Sequence, residues 1–164
     1  MARVIPNETS WIGWSATAPA DLDAPTAAWV AAAEDWTCYV SSINASSQGN
    51  QIPVPDLCSR FERSIAGTVS ATFSAEFYRD DEDAGDVAWD TLVRGTRGYF
   101  IVSRFKEGFT PGDDPMPIVG DSVEIWPVEI TSRQAGPLTS NTVQTFTVQA
   151  AVNIVPSEDA VVAA

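Results

Sequence analysis

The sequence contains no histidine, and this absence excludes much of the common catalytic chemistry. Serine and cysteine nucleophiles ordinarily depend on a histidine base, and many metal sites use histidine ligands. Only two cysteines are present, Cys38 and Cys58; they are not in CxxC spacing, and we expect both to be reduced. We therefore predict that the chain is not an enzyme and holds no metal ion or cofactor.

Carboxylate chemistry is the one enzymatic route that these absences leave open. A pair such as Glu124 and Glu129 could serve as acid and base, but among 22 acidic residues some pair will always look plausible. The acidic run at residues 80–83 does not fit a calcium loop, because Ala84 and Thr91 stand where an EF-hand needs ligands. Capping of a following helix explains these acids more simply.

Positive charge is also scarce, since nine Lys and Arg against 22 Asp and Glu give a formal net charge of −13. The nine cations are scattered, whereas proteins that grip nucleic acid cluster their cations to displace counterions from phosphates. An acidic surface repels DNA at short range and keeps a protein soluble. The charge therefore fits either solubility alone or a surface along which DNA slides without binding.

Long apolar runs are absent as well. No stretch approaches the roughly 20 apolar residues of a membrane-spanning helix, and the first residues lack the apolar core of a secretory signal. We expect no membrane partner, and a chain that stays in the cytoplasm where it is made. At 164 residues the sequence has the length of a single domain, 1–164.

The clearest pattern that is present is a long alternation between residues 65 and 78. Apolar side chains alternate with small polar or acidic ones, which is typical of a strand with one buried and one solvated face. The apolar series is Ile65, Val69, Ala71, Phe73, Ala75 and Phe77, and the polar series is Thr68, Ser70, Thr72, Ser74 and Glu76. Further strands are predicted over residues 99–105, 122–131 and 142–152.

Two short helical patterns flank these strands. Pro25 fits the first position of a helix that carries Trp29 and Trp36, and a strand is expected directly after it, over residues 37–42. A second helix is predicted over residues 84–92, with Gly95 as a left-handed cap just beyond it. The sequence therefore predicts a mainly β domain with one or two short flanking α-helices.

Three segments do not fit this regular pattern. Residues 1–15 and 153–164 are interpreted as extended arms, and residues 43–62 as a loop rich in Ser, Asn, Gln and Pro. A structureless loop of this length is uncommon in a compact domain and is usually either functional or disordered, and its apolar residues suggest docking. We predict contacts between copies of the chain at Trp11, Trp14, Ile52, Val54 and Leu57.

The six tryptophans support a different interpretation. At least half lie at helical core spacing or next to it and are expected to be buried. Trp11, Trp14 and Trp126 could be exposed platforms on which sugars stack, or could equally anchor a protein interface. The alternative function is therefore a carbohydrate-binding or adhesive β-sandwich that acts as a soluble monomer.

The order of these features resembles the major tail proteins of siphophages, particularly those that infect Actinobacteria. The resemblance covers nearly the whole chain and depends on the order of short pieces. These are Pro25-Thr26-Ala27-Ala28, Trp36-Thr37-Cys38-Tyr39-Val40, Ser64-Ile65-Ala66-Gly67, Phe77-Tyr78-Arg79-Asp80, Trp89, Leu92, Gly95, Gly98, Gly120-Asp121-Ser122-Val123-Glu124 and Phe146-Thr147-Val148.

The resemblance implies a tail-tube-type β-sandwich or barrel that forms hexameric rings, with the inner strands joined into one continuous β-barrel. It implies that the rings stack through loop 43–62 and through arms 1–15 and 153–164. Its implied partners are copies of itself, a tape measure protein, tail terminator and distal tail proteins, and phage DNA that passes without specific binding. The implied location is the virion tail, where the tube conducts DNA into the host.

A DNA conduit needs a wall without cations, because each Lys or Arg facing the bore could bind a phosphate and slow its passage. The polar series of the 65–78 strand meets this requirement. Pro127 cannot donate a ladder hydrogen bond, so a bulge there could bring Glu124 and Glu129 onto one face. We predict a lumen-facing surface made of Thr68, Ser70, Thr72, Ser74, Glu76, Glu124, Glu129, Thr147 and Gln149.

Overall fold

The computed structural model describes residues 9–54, 63–80, 86–110 and 112–164. Within these ranges the chain forms strands and two helices of five residues each. In chain order they are β1 (Trp11–Ser15), α1 (Ala27–Ala31), β2 (Glu34–Asp35), β3 (Val40–Val54), β4 (Arg63–Tyr78), α2 (Val87–Thr91), β5 (Arg97–Ser103), β6 (Ser122–Ala135), β7 (Thr145–Ala151) and β8 (Ser157–Val161). The prediction of a mainly β chain with short flanking helices is confirmed.

All of these strands belong to one antiparallel sheet in the order β2-β1-β5-β6-β7-β4-β3, with β8 paired to β6. Strand β6 belongs to both halves of the sheet. Its first part pairs with β5 and β8, and its last part, residues 129–135, pairs with β7. The sheet curls around one aromatic cluster, so that Phe73 on β4 stacks on Phe100 on β5 with 4.7 Å between ring centroids.

The core has two parts, one on each face of β5 and β6. The larger cluster fills the inside of the curl and includes Trp14, Trp36, Phe77, Trp126 and Phe146. The smaller cluster lies on the outer face, where α1 and the segment that contains Ala160 and Val162 cover the sheet. These clusters form because strand side chains alternate between faces, and here both faces of β5 and β6 are apolar.

Close packing at Gly98 gives a stability prediction. A Cβ at this position would lie 2.3 Å from Cη2 of Trp14 and 2.9 Å from the carbonyl oxygen of Ser15. We expect Gly98→Ala to destabilise the subunit by about 1–3 kcal/mol through overpacking, measured by urea unfolding at a concentration below assembly. Gly49→Ala is the matched control, since its Cβ would meet nothing within 4 Å. Equal midpoints for the two variants would contradict this account of Gly98.

The helices are shorter than the sequence predicted. Helix α1 begins after Thr26, whose hydroxyl accepts a hydrogen bond from the amide of Trp29 at 3.3 Å, and it ends at Ala31. Trp36 therefore does not lie on this helix; it follows β2 and is buried against Trp14. Gly95 adopts the left-handed conformation predicted for it, with φ of 88°. No helix in the described part of the chain is long and apolar enough to cross a membrane.

The three irregular segments are more ordered than predicted wherever they are described. Residues 43–54, interpreted as loop, continue β3 and pair with β4. Residues 11–15, interpreted as arm, form β1 inside the sheet, and residues 157–161 form β8, with Ala160 and Val162 buried. Residues 1–8 and 55–62, and with them Leu57, lie outside the described residues.

Candidate lumen face and assembly surfaces

Strands β3, β4, β7 and the last part of β6 form a four-stranded ribbon whose outward side chains are small and polar. We call this surface the polar face. Hydrogen-bonded register aligns it in cross-strand rows, one of which runs Asn44, Ser74, Gln149 and Ser132. The adjoining rows are Ser42, Glu76, Thr147 and Gln134 on one side, and Ser46, Thr72, Ala151 and Glu129 on the other.

The predicted lumen residues on β4 and β7 thus lie together on one surface. Thr72 is exposed and Ser74 and Glu76 are half-buried, while their alternating neighbours Phe73 and Ala75 are buried. Hydroxyl groups link the strands: Ser46 and Thr72 lie 3.2 Å apart, and Thr145 donates to Glu76 at 2.8 Å. Thr68 and Ser70 continue the series beyond the end of β7.

No Lys or Arg stands on the polar face of the ribbon over the described parts of β3, β4 and β7. Arg133 on β6 points to the opposite face, because it pairs with buried Val148. Its guanidinium lies 3.7 Å from the ring centroid of Trp89, and that of Arg79 lies 3.8 Å from the same ring. Arg79 is also paired with Asp86 at 2.7 Å. Stacking and pairing hold both cations at Trp89 rather than on the polar face.

Glu129 lies at the margin of the polar face beside a cation. Its Oε2 accepts from Nε of Arg97 at 2.9 Å and from Nδ2 of Asn153 at 3.1 Å. The Arg97 side chain is 78 % exposed. Glu129 therefore compensates the one positive charge that the register places in line with Thr72 and Ala151.

Glu124 does not join this surface, and the bulge predicted at Pro127 is wrong. The register between β5 and β6 runs without a shift from residue 124 to residue 129, so Glu124 and Glu129 face opposite sides. Ile130 donates to Thr96 on the β5 side, and because amides alternate, the Pro127 nitrogen points to the other edge. There the β8 pairs end at Ile125 and the β7 pairs begin at Glu129, so no ladder bond is lost.

Glu124 instead belongs to an internal ion pair. Its carboxylate accepts hydrogen bonds from Nε and Nη2 of Arg104 and from the indole N–H of Trp126. This hydrogen bonding raises the pKa of Arg104 above its ordinary value. Because Glu124 and Glu129 face opposite sides and each is paired with an arginine, they cannot act together on one substrate.

The two outer edges of the ribbon have no strand beside them in the described part of the chain. On β6, Gly136 donates inward to Thr145, so the amides of Arg133 and Ala135 point outward. On β3, Nη2 of Arg104 donates to the carbonyl oxygen of Ala45 from outside the ribbon at 3.5 Å. The backbone C=O and N–H of Ala45 therefore point to the open edge. Unpaired edges of this kind are templates for pairing with another chain.

Beyond the end of β7 the β3–β4 hairpin projects as an arm, defined here as residues 48–54 and 63–70. Strand β7 ends opposite Thr72, and the nine residues from there to Arg63 extend about 30 Å at the rise of a β-strand. Ile52 and Ile65 pair directly and are 50 % and 55 % exposed. The prediction that Ile65 and Val69 are buried is therefore wrong, because the strand outruns the core, whereas exposure of Ile52 and Val54 leaves them available to other copies.

The tryptophans predicted at contacts or sugar platforms are core residues. Trp11, Trp14 and Trp126 are only 2 %, 3 % and 1 % exposed, so none offers a ring to another copy or a sugar. Trp14 stacks on Trp36 with centroids 5.2 Å apart. The carbohydrate-binding alternative loses the residues on which it depended.

The described residues define the class of protein as a mainly β chain built on one antiparallel sheet with open edges. The chain belongs to the phage tail tube protein family, because the family model described as "Phage tail tube protein" matches residues 1–164. The family assignment made from the sequence is confirmed, and the protein has a structural role in the tail tube. No curated protein matches the sequence significantly.

Solved structures of similar fold come from phage and phage-like tails. The SPP1 tail tube has a TM-score of 0.63 at 14 % identity, with 97 % of this chain and 81 % of that chain covered. The tail of an empty gene transfer agent particle, solved with C6 symmetry, has a TM-score of 0.56 at 15 % identity, covering 97 % and 100 %. At such low identity these structures support the fold.

Proposed function

We propose that this protein closes into hexameric rings whose polar faces line the bore, and that the rings stack into the tail tube through which phage DNA is ejected. The observation that carries the proposal is the four-stranded ribbon with a polar, cation-free face and two unpaired edges. The protein acts in the virion tail as a building block without catalytic chemistry, and DNA passes it without being bound.

Strand direction favours this closure. Along the ribbon β3, β4, β7 and β6 alternate in direction, so β3 and β6 run opposite to each other. In a ring whose axis runs roughly along the strands, β6 of the next copy therefore meets β3 antiparallel. The junction continues the antiparallel pattern of the sheet and pairs both open edges.

The sixfold symmetry of the gene transfer agent tail supports the copy number. Six ribbons would supply about 24 strands spaced about 4.8 Å apart, giving a mean barrel radius of about 18 Å before strand tilt widens it. Side chains of the polar face are small, so a wide bore remains for DNA. The main proposed partners are other copies of this chain, which associate side by side in the ring. The other proposed partners are a tape measure protein in the bore and terminator and distal tail proteins at the ends of the tube.

Electron microscopy of the purified protein tests the proposal directly. We expect rings and stacked tubes with a central bore, whereas particles that remain monomeric at high concentration would contradict it. In a tube, amide hydrogen exchange at Ala135 and Ala45 should become slower than in the free subunit, because both edges become paired.

Shortening the arm should separate ring formation from stacking. We expect replacement of residues 50–68 by Asn-Gly, a two-residue hairpin turn, to keep the fold, since Gly49 and Val69 already pair directly. Rings should still close, but stacking should fall to single rings or short stacks, measured by tube length in micrographs. Tubes of full length from this variant would remove the stacking role assigned to the arm.

A further inference from the structure

Exposed apolar side chains gather at both ends of the ribbon. At one end the arm exposes Ile52, Val54, Ile65 and Val69. At the other end the connection between β6 and β7 exposes Leu138 and Val143, which are 86 % and 68 % accessible. Tyr78 lies at this same end, because it pairs with Thr145 where β7 begins.

The end opposite the arm is organised by local hydrogen bonds. We call Tyr78, Leu138 and Val143 the turn surface. Gly136 donates to Thr145 at 2.8 Å and closes the base of the turn, and the hydroxyl of Thr142 donates to the carbonyl of Thr139 at 3.0 Å. The amide of Arg79 donates to Gln144 at 2.9 Å, which ties the end of β4 to the turn. The exposed apolar side chains thus lie on a segment that these hydrogen bonds hold in place.

Charge distribution indicates what covers these surfaces. The chain carries a net charge of −13, yet residues 48–54, 64–70 and 136–144 contain no Asp, Glu, Lys or Arg. Beside them, Arg63 is a charged residue of the arm, and the oppositely charged Arg79 and Asp80 follow Tyr78. Two copies of a strongly acidic protein repel each other wherever acids meet, so contact is least opposed between uncharged surfaces. Depletion of charged residues is also typical of the centre of protein interfaces. A second copy of this chain therefore fits both surfaces.

Geometry brings the two surfaces together. Rings stacked along the strand direction present the arm of each copy to the opposite end of a copy in the next ring, which is a head-to-tail contact. In such a stack the arm, which extends about 30 Å past the end of β7, points along the axis toward the next ring. Asn50 donates to Thr68 at 3.3 Å on the side that continues the polar face, whereas Val69 pairs with Gly49 on the other side.

We infer that the turn surface is the receiving site for the arm of a copy in the neighbouring ring. This inference rests on the proposed stacking of rings and adds to it the residues on which each arm lands. Burial of exposed apolar area on both partners supplies the driving force.

A disulfide experiment tests the contact in the assembled tube. In a Cys38→Ser, Cys58→Ser background that forms tubes, Ile65→Cys and Leu138→Cys are combined and the tubes are oxidised. We expect a ladder of covalent oligomers that continues beyond six subunits, because each copy links to the ring above and the ring below. A ladder that stops at one ring, or the absence of cross-links in intact tubes, would overturn the inference. Ile65→Cys with Val155→Cys, 74 % exposed and away from the turn, is the matched control and should give no ladder.

A second pair of substitutions avoids disulfide geometry. Leu138→Gln with Val143→Thr keeps the size of both side chains but makes them polar, and we expect rings that stack at least tenfold less. Full-length tubes from this variant would count against the turn surface. If the unsubstituted protein formed no tubes at all, the proposed function would fail, so the two failures are distinguishable.

Discussion

Ala135→Pro is expected to give a folded subunit that no longer closes into rings. The Ala135 amide points away from β7 to the open edge, so proline removes no hydrogen bond within the subunit. In a ring it would remove a donor from the junction with β3 and place the bulky proline ring between the strands. We expect normal circular dichroism and a monomer by sedimentation at concentrations where the unsubstituted protein assembles.

Two further variants control for this result. Ala135→Ser keeps the amide and should assemble normally. Gln134→Pro shifts the proline by one residue to an amide that bonds to β7, so it should destabilise the subunit itself by about 3 kcal/mol. Normal rings from Ala135→Pro would show that β6 does not form the junction.

Thr72→Lys combined with Ser74→Lys is expected to preserve tubes and to reduce infectivity by several orders of magnitude. Each ring of six would gain about twelve cations facing the bore, and every cation can form a charge-assisted contact with a passing phosphate. The measurements are plaque counts and the rate of DNA release from purified particles, with micrographs to verify tube length.

Thr72→Gln with Ser74→Gln introduces comparable length without charge and serves as the control. It should release DNA at close to the normal rate if charge rather than bulk is the obstacle. Normal infectivity from the lysine variant would count heavily against a bore lined by the polar face. Raising the ionic strength should partly restore release from the lysine variant, because phosphate contacts weaken with salt.

The alternation of β4 was readable from the sequence because its apolar residues from Phe73 to Phe77 meet a core. Its partner β3 was not, since Ser, Asn, Gln and Gly predominate there and the strand forms through pairing with β4 rather than through an apolar pattern of its own. The same projection explains the errors at Ile65 and Val69, whose periodicity continues where no core remains beneath them. Strand periodicity predicts which face a residue occupies, but not how far the core extends.

The candidate site was predictable where alternation within one strand decides the face of a residue, and not where the choice of pairing partner does. Alternation puts Thr72 and Ser74 on one face of β4 and Thr147 and Gln149 on one face of β7, and the pairing of these strands joins the two faces. The side on which Glu124 lies depends on how β6 pairs with β5, β7 and β8, which the sequence does not reveal. The burial of Trp11 and Trp14 likewise follows from insertion of β1 beside β5, a contact between residues almost ninety positions apart.

Strand β6 passes from the outer half of the sheet into the ribbon without a break in the backbone. A change in bore diameter would therefore have to bend this strand or shift the body attached to it. We expect mechanical load on the inner wall to reach the outer wall through the covalent chain. In this architecture a deformation of the bore would also deform the exterior of the tail. The size of that deformation would depend on the stiffness of β6.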